Sequence, residues 1–331
     1  MEVFTDMGNN FESMLQGGKP AIKYYSGAWG WSWISIPLTD YANTYAGGRT
    51  LVADVAMPFV PTAFGGGVVP LVGKGDNRAD PLVVAPAAEA TLYQFDLEKS
   101  AFVVTRRAKK SAIELEIEKD SGAAWGWRER VTEGLTGMVR ASLERSVFDA
   151  VGSSTNVAST WTVKSAFNGA GDATTAVLGL LDGVQAIGGV RPDFVSFGKD
   201  AWTSFAANSS AISRLGGWVT PTRTAEVFRV NAVAVHDGQY NSSAPGLTPV
   251  FTTFQTPDSV SAFCTKGPRW GVRPYWLPPG ITKGPLITEQ YEVKKVRSTF
   301  IEVGCWTKEV VVDNDLAGTL SGVNSSQAGG L

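Results

Sequence analysis

Histidine occurs once and cysteine twice in these 331 residues, and charged side chains make up 18% of them, against a usual share of about 25%. A lone His236 excludes the imidazole clusters on which zinc, iron and copper sites are built. Cys264 and Cys305 lie far apart and neither belongs to a CxxC pair, so no zinc site or disulfide framework is legible. They read as two separate, buried, small apolar side chains. No GxSxG or HExxH motif is present, and a single histidine leaves little room for a Ser-His-Asp or Cys-His apparatus. We therefore expect no catalytic, cofactor-binding or metal-binding residues. Paired carboxylates could act without histidine, but nothing shows which of the 31 acids would converge.

Charge of one sign is also missing. The 29 basic and 31 acidic residues give a formal charge of -2, which excludes a dedicated basic face for nucleic acid. No apolar run reaches the length of a membrane span. The opening MEVFTDMGNNFESMLQGGKP has acids and polar residues where a secretory signal needs a basic start and an apolar stretch. The sequons at Asn208, Asn241 and Asn324 then read as polar loops rather than glycosylation sites.

What is abundant is glycine (37), proline (17) and tryptophan (11), within a hydrophobic share of 44%. That composition belongs to a folded chain of one large or two ordinary domains. Residues 1–50 read as an arm in which Trp29, Trp31 and Trp33 alternate onto one face if extended. Such a row suits packing against the body or a neighbouring chain, or a glycan-binding groove. Residues 51–98 read as a long two-stranded extension, with strand-like pieces Leu51 to Val60 and Pro81 to Ala85 around a glycine-rich tip. At that tip Gly67 precedes Gly73-Lys74 by one residue too many for a phosphate-binding loop, and Gly75 replaces the required hydroxyl. An isolated ribbon of this kind needs something to rest on.

A strand at Ala101 to Thr105 leads into the basic cluster Arg106, Arg107, Lys109 and Lys110, which reads as a solvated or salt-bridged face, or a contact for nucleic acid or an acidic partner. Ser111 to Glu118 alternates like a strand but carries a helix-capping pattern. From Ala124 to Val151 apolar residues recur at helical spacing, Val131, Leu135, Met138, Ser142 on one line and Val139, Leu143, Val147, Val151 on the next. A second helix spans Thr174 to Ile187, followed by a strand at Phe194 to Phe197 and a third helix from Lys199. Thr224 to Phe228 and Val230 to Val235 repeat the alternation, so 166–283 reads as a mixed α/β unit. Strands follow at Ile287 to Val293, Ser298 to Val303 and Lys308 to Val312. His236, before Asp237-Gly238, reads as a turn residue, and Ser321 to Gly330 as a flexible tail.

The order of these parts resembles the major capsid proteins of tailed bacteriophages, the Hong Kong 97 phage-type fold. The segment ending Ser146-Val147-Phe148-Asp149-Ala150-Val151-Gly152 is similar to that family's spine helix, and Asp193 to Trp202 to its axial strand-to-helix turn. Val233 to Tyr240 resembles the lambda-like branch, and Gly284 to Ala317 the returning peripheral strands. The resemblance covers about 100–318. It implies an α+β fold with an N-terminal arm (1–50), extended β-hairpin loop (51–98), peripheral domain with the spine helix (99–165), inserted α/β axial domain (166–283), peripheral return strands (284–318) and flexible tail (319–331). It implies a head protein that self-assembles into pentamers and hexamers of an icosahedral shell around double-stranded DNA, in the virion after assembly in the host cytoplasm. Scaffolding, portal and cement or decoration proteins would be partners, DNA contact would be weak and non-specific, and no membrane would be involved. Some members cross-link through a lysine–asparagine isopeptide bond, for which Lys74 is the one lysine on the loop. Two alternatives are an encapsulin-like compartment and a carbohydrate-binding or hydrolysing protein using the tryptophans and acids.

Overall fold

A computed structural model describes residues 34–45, 51–72, 97–120, 126–162, 166–168, 171–244, 247–278, 281 and 284–324. In chain order come α1 (Ile36–Thr44), α2 (Val52–Ala56), β1 (Phe59–Thr62), β2 (Gly66–Val72), β3 (Leu97–Val103), β4 (Thr105–Glu114), α3 (Leu115–Asp120) and α4 (Trp127–Gly152). They are followed by β5 (Ser159–Thr162), α5 (Ala173–Gly188), β6 (Phe194–Gly198), α6 (Lys199–Ala207), α7 (Ser209–Leu215), α8 (Pro221–Phe228) and β7 (Ala232–His236). The last part holds β8 (Gln239–Asn241), β9 (Phe251–Thr253), β10 (Ser259–Phe263), β11 (Gly271–Trp276), β12 (Ile287–Val293), β13 (Ser298–Thr307), β14 (Val310–Val311) and β15 (Ala317–Ser321).

Two sheets organise these elements. A six-stranded sheet runs β1-β11-β13-β12, with β4 on β13 and β14 on β11; a five-stranded sheet runs β5-β15-β10-β6-β7. The six-stranded sheet packs its apolar positions Ile113, Ile301, Val303 and Cys305 against Leu135, Val139 and Leu143 of α4 and Leu38 and Ala42 of α1. In the five-stranded sheet Val195, Phe197, Val260, Ala262 and Leu320 meet Val177, Leu180, Leu181 and Val184 of α5 and the aromatic residues Phe205 and Phe228. A third cluster joins the two units: Val147, Phe148 and Val151 at the end of α4 pack with α2, Phe194, Phe263 and Trp270. The helices start where the chain offers caps. Asp172 accepts the Thr175 N–H at the head of α5, and Thr220 does the same for Arg223 ahead of Pro221 in α8.

Several expectations are corrected. Leu51 to Val60 is not one strand: residues 52–56 form α2, and only β1 is extended, paired in parallel with β11. Val52, Ala53, Ala56 and Met57 are buried in the joining cluster, and burial on one side of a helical turn overrides their β-branched composition. This stretch therefore belongs to the body, and the hairpin arms are β2 and β3. Of the expected glycine-rich centre, Gly66 and Gly67 are instead strand residues of β2; the part 73–78 with Lys74, Pro81 to Ala85, and Trp29, Trp31 and Trp33 lie outside the described residues.

Ser111 to Glu118 is both things in turn. It pairs with β13 as far as Glu114↔Ser298, where β13 begins, and then turns helical, with Leu115 N–H donating to Arg297 O. In α4 the buried face is Thr132, Leu135, Thr136, Val139, Leu143, Glu144, Val147, Phe148 and Val151. Met138, expected inside, is 60% exposed, because past Leu135 the inward stripe leaves the first line and follows Val139, Leu143, Val147 and Val151. Gly271–Trp276, expected in the α/β unit, pairs within the six-stranded sheet, while β5 and β15, expected outside that unit, are strands of the five-stranded one. The start of the expected tail is structured too: β15 runs to Ser321, paired with both β10 and β5, and Val323 is fully buried.

Candidate functional site

The β2–β3 hairpin exposes large apolar side chains, and the body holds its root through buried charged groups. Glu144, 1% exposed in the middle of α4, accepts the Val52 N–H at 2.9 Å and the Ala53 N–H at 3.2 Å. It thus satisfies the free amides that open α2. The same carboxylate meets His236 Nε2 at 2.9 Å, which ties the end of β7 to the long helix. One turn further along the chain, Arg273 donates from Nε to Met57 O at 2.7 Å and from Nη2 to Asp54, with its guanidinium 3.9 Å from the Phe59 ring centroid. Charge-assisted bonds of this kind are strong when shielded from water, and Arg273 is 1% exposed. The chain leading into the hairpin is therefore clamped from both sides.

Beyond the clamp the hairpin displays apolar surface. Phe64 is 77% exposed, Val103 71% and Val68 53%, and Val68, Ala101 and Val103 share the outward face. The inward face carries Phe102, which lies over Gly67; a Cβ there would sit 3.2 Å from the ring. Beneath it an apolar cleft of about 360 Å³ opens between the hairpin and β1 and β11, lined by Val60, Val69, Phe102, Val272 and Pro274. Large apolar groups exposed together on a rigid support mark a contact surface.

The residues singled out from sequence fall elsewhere. His236 is buried against Phe148 and Phe254, so it is an internal partner of Glu144 rather than a turn residue. Of the basic cluster, Arg106 pairs with Glu289 and Glu302 and stacks over Trp306, and Arg107 binds Glu309 and Ser146. Salt bridges therefore engage these two arginines, through acids distant in sequence. Lys109 and Lys110 are exposed. Cys264 and Cys305 are free and buried in separate clusters, and burial pushes both thiols up to about 12, which removes thiolate chemistry. Among the described residues no group of acids, histidines or cysteines is arranged to hold a metal, and no helix is long and apolar enough to cross a membrane. Glu144 and Arg273 were missed because each reads locally as an ordinary surface charge.

No protein-family model and no curated protein sequence matches the chain. Solved structures do. A phage-related protein from Bordetella bronchiseptica RB50 is similar with a TM-score of 0.67 at 14% identity, over 89% of this chain and 99% of that one. The capsid of the cyanophage P-SCSP1u is similar at 0.52 and 13% identity, covering 85% and 93%. The chain has the Hong Kong 97 phage-type capsid fold. A virus-like particle from Pyrococcus furiosus shares the likeness at 0.54 and 11% identity over 86% and 96%. Within this fold the clamp at Glu144 and Arg273 holds the chain that leads from α2 into the hairpin.

Proposed function

We propose that the chain is a major capsid protein of a tailed phage, which self-assembles into pentamers and hexamers of an icosahedral shell around double-stranded DNA. The observation that carries this reading is the extent of the likeness: the capsid fold is matched over most of both chains, the cyanophage capsid included. The exposed apolar hairpin supports it, since a two-stranded ribbon that cannot bury itself is satisfied by resting on a neighbouring copy. In this reading the hairpin of β2 and β3 supplies the loop that reaches over a neighbour, 1–50 an arm, and the α/β unit the contacts around the pentamer and hexamer centres. The protein acts through contacts rather than catalysis, with scaffolding, portal and cement proteins as partners in the virion. Weak contact with DNA suits its near-neutral charge.

The test is electron microscopy of the expressed chain, alone and with a scaffolding protein. Closed shells or hexamer-containing sheets are expected; a chain that stays monomeric in both conditions overturns the reading. A second reading, a compartment holding protein cargo, takes its support from the likeness to a virus-like particle. Nucleic-acid content of particles purified from the host separates the two.

A further inference from the structure

β4 and β13 remain paired down to Thr105↔Thr307. Past that pair the strands part. β3 continues β4 through Val104 and joins β2, while β14 continues β13 and pairs with β11. In antiparallel strands, hydrogen-bonded and non-hydrogen-bonded residue pairs alternate, so one known bond fixes where every later backbone group points. Val104 N–H donates to Gly65 O at 2.9 Å; Phe102 is therefore bonded toward β2, and Ala101 and Val103 direct N–H and C=O away from it. On the other arm Val312 N–H donates to Trp270 O at 2.8 Å. Val310 is thus bonded toward β11, and Glu309 and Val311 face outward.

The outward groups of Ala101 and Val103 and those of Glu309 and Val311 border one wedge of about 620 Å³, lined by Ser100, Ala101, Phe102 and Val103 on one side and Lys308 to Val311 on the other, with Ser146, Ala150 and Asn156 of the helix end as floor. Among the described residues none of the four has a backbone hydrogen-bond partner. The wedge cannot simply zip shut. Phe102, 8% exposed, anchors one arm, and the Arg107–Glu309–Ser146 bonds at 2.6 to 2.8 Å, with Val310 buried, anchor the other.

We propose that this wedge is an acceptor slot for one extended segment of a second copy of the chain, hydrogen-bonded to β3 on one edge and to β14 on the other. A strand taken up between two open edges satisfies both at once, which is the backbone form of strand addition. The inference rests on the shell reading, because assembly is what brings a second copy to every slot. A hairpin strand already paired on one side does not fit; the occupant is a single extended stretch.

Hydrogen exchange of the free chain and of assembled particles tests this. Peptides covering 99–105 and 307–313 are expected to exchange about tenfold or more slowly in particles than in the free chain. Ala101→Pro removes an outward N–H that the hairpin ladder does not use, so the free variant keeps its fold and thermal transition while particle yield falls. Particles that form with both peptides unprotected overturn the slot and leave the shell reading standing. Protection that appears only on adding a different protein overturns the second copy as occupant. Failure of the chain to form particles under any condition overturns both.

Discussion

Asp172 shows how much a single exposed side chain does at the head of a helix. Its carboxylate accepts the Thr175 hydroxyl at 2.6 Å and the Thr175 N–H at 3.0 Å, and Arg214 reaches it at 2.9 Å. The Thr175 hydroxyl, then the Thr175 N–H, hold its pKa down to about 2. A carboxyl lowered on folding from the usual value of about 3.9 stabilises the folded state above that value and loses the contribution as pH falls through about 2. Asp172→Ala is expected to lower stability at pH 7 by about 1 kcal/mol, the usual worth of an N-cap. The difference from the parent should shrink between about pH 4 and pH 2 in urea titrations; a gap that does not change with pH would contradict the assignment.

At the scale of elements, close approach decides where side chains are forbidden. Gly198 ends β6 and opens α6, and a Cβ there would lie 2.4 Å from Thr256 O and 2.5 Å from Pro257 O. Both obstacles are backbone, so they cannot rotate away. Gly198→Ala is expected to cost about 1–3 kcal/mol, read from the midpoint of denaturant unfolding, although its φ of -67° suits any residue. The hairpin makes the opposite prediction. Val68→Ser with Val103→Ser changes exposed positions, so the thermal midpoint of the free chain should stay within the small range usual for surface substitutions. Particle yield by light scattering should fall, and unchanged yield would remove this face from the contact surface. Periodicity made α5 legible in advance, since a stripe at helical spacing buries one face, and β-branched and aromatic content announced β12. The same rule failed for Leu51 to Val60, where the deciding partners come from α4 and β11.

For the whole molecule the question is whether the two sheets behave as one unit. They are joined by the apolar cluster at the end of α4 and by the Glu144–His236 pair within it. Removing one member of a buried pair leaves the other without compensation, with losses of about 3–5 kcal/mol. Glu144→Ala should therefore lower stability by that order and split a single calorimetric transition into two, as the α/β unit loses its tie to the long helix. One unsplit transition in the variant would show that the apolar cluster alone couples the units. In the proposed shell the low net charge of -2 would let many copies meet with little mutual repulsion.

The amino-acid sequence by itself determined many of the pieces the chain is made of. One histidine and two isolated cysteines leave no imidazole- or thiolate-rich metal motif to read, and local patterns announce the long helix, the second helix and the strands of the last third. Those properties are carried by neighbours within a turn or a strand. The clamp, the sheet memberships and the wedge are set by partners far apart in the chain: Glu144 meets His236 across 92 positions and Arg273 meets Asp54 across 219. A buried carboxylate and an exposed one look alike in a helical pattern, and the direction of a strand's free N–H depends on the register chosen by its partner. Only the tertiary structure could decide them, because each is a property of a pair that no local pattern contains.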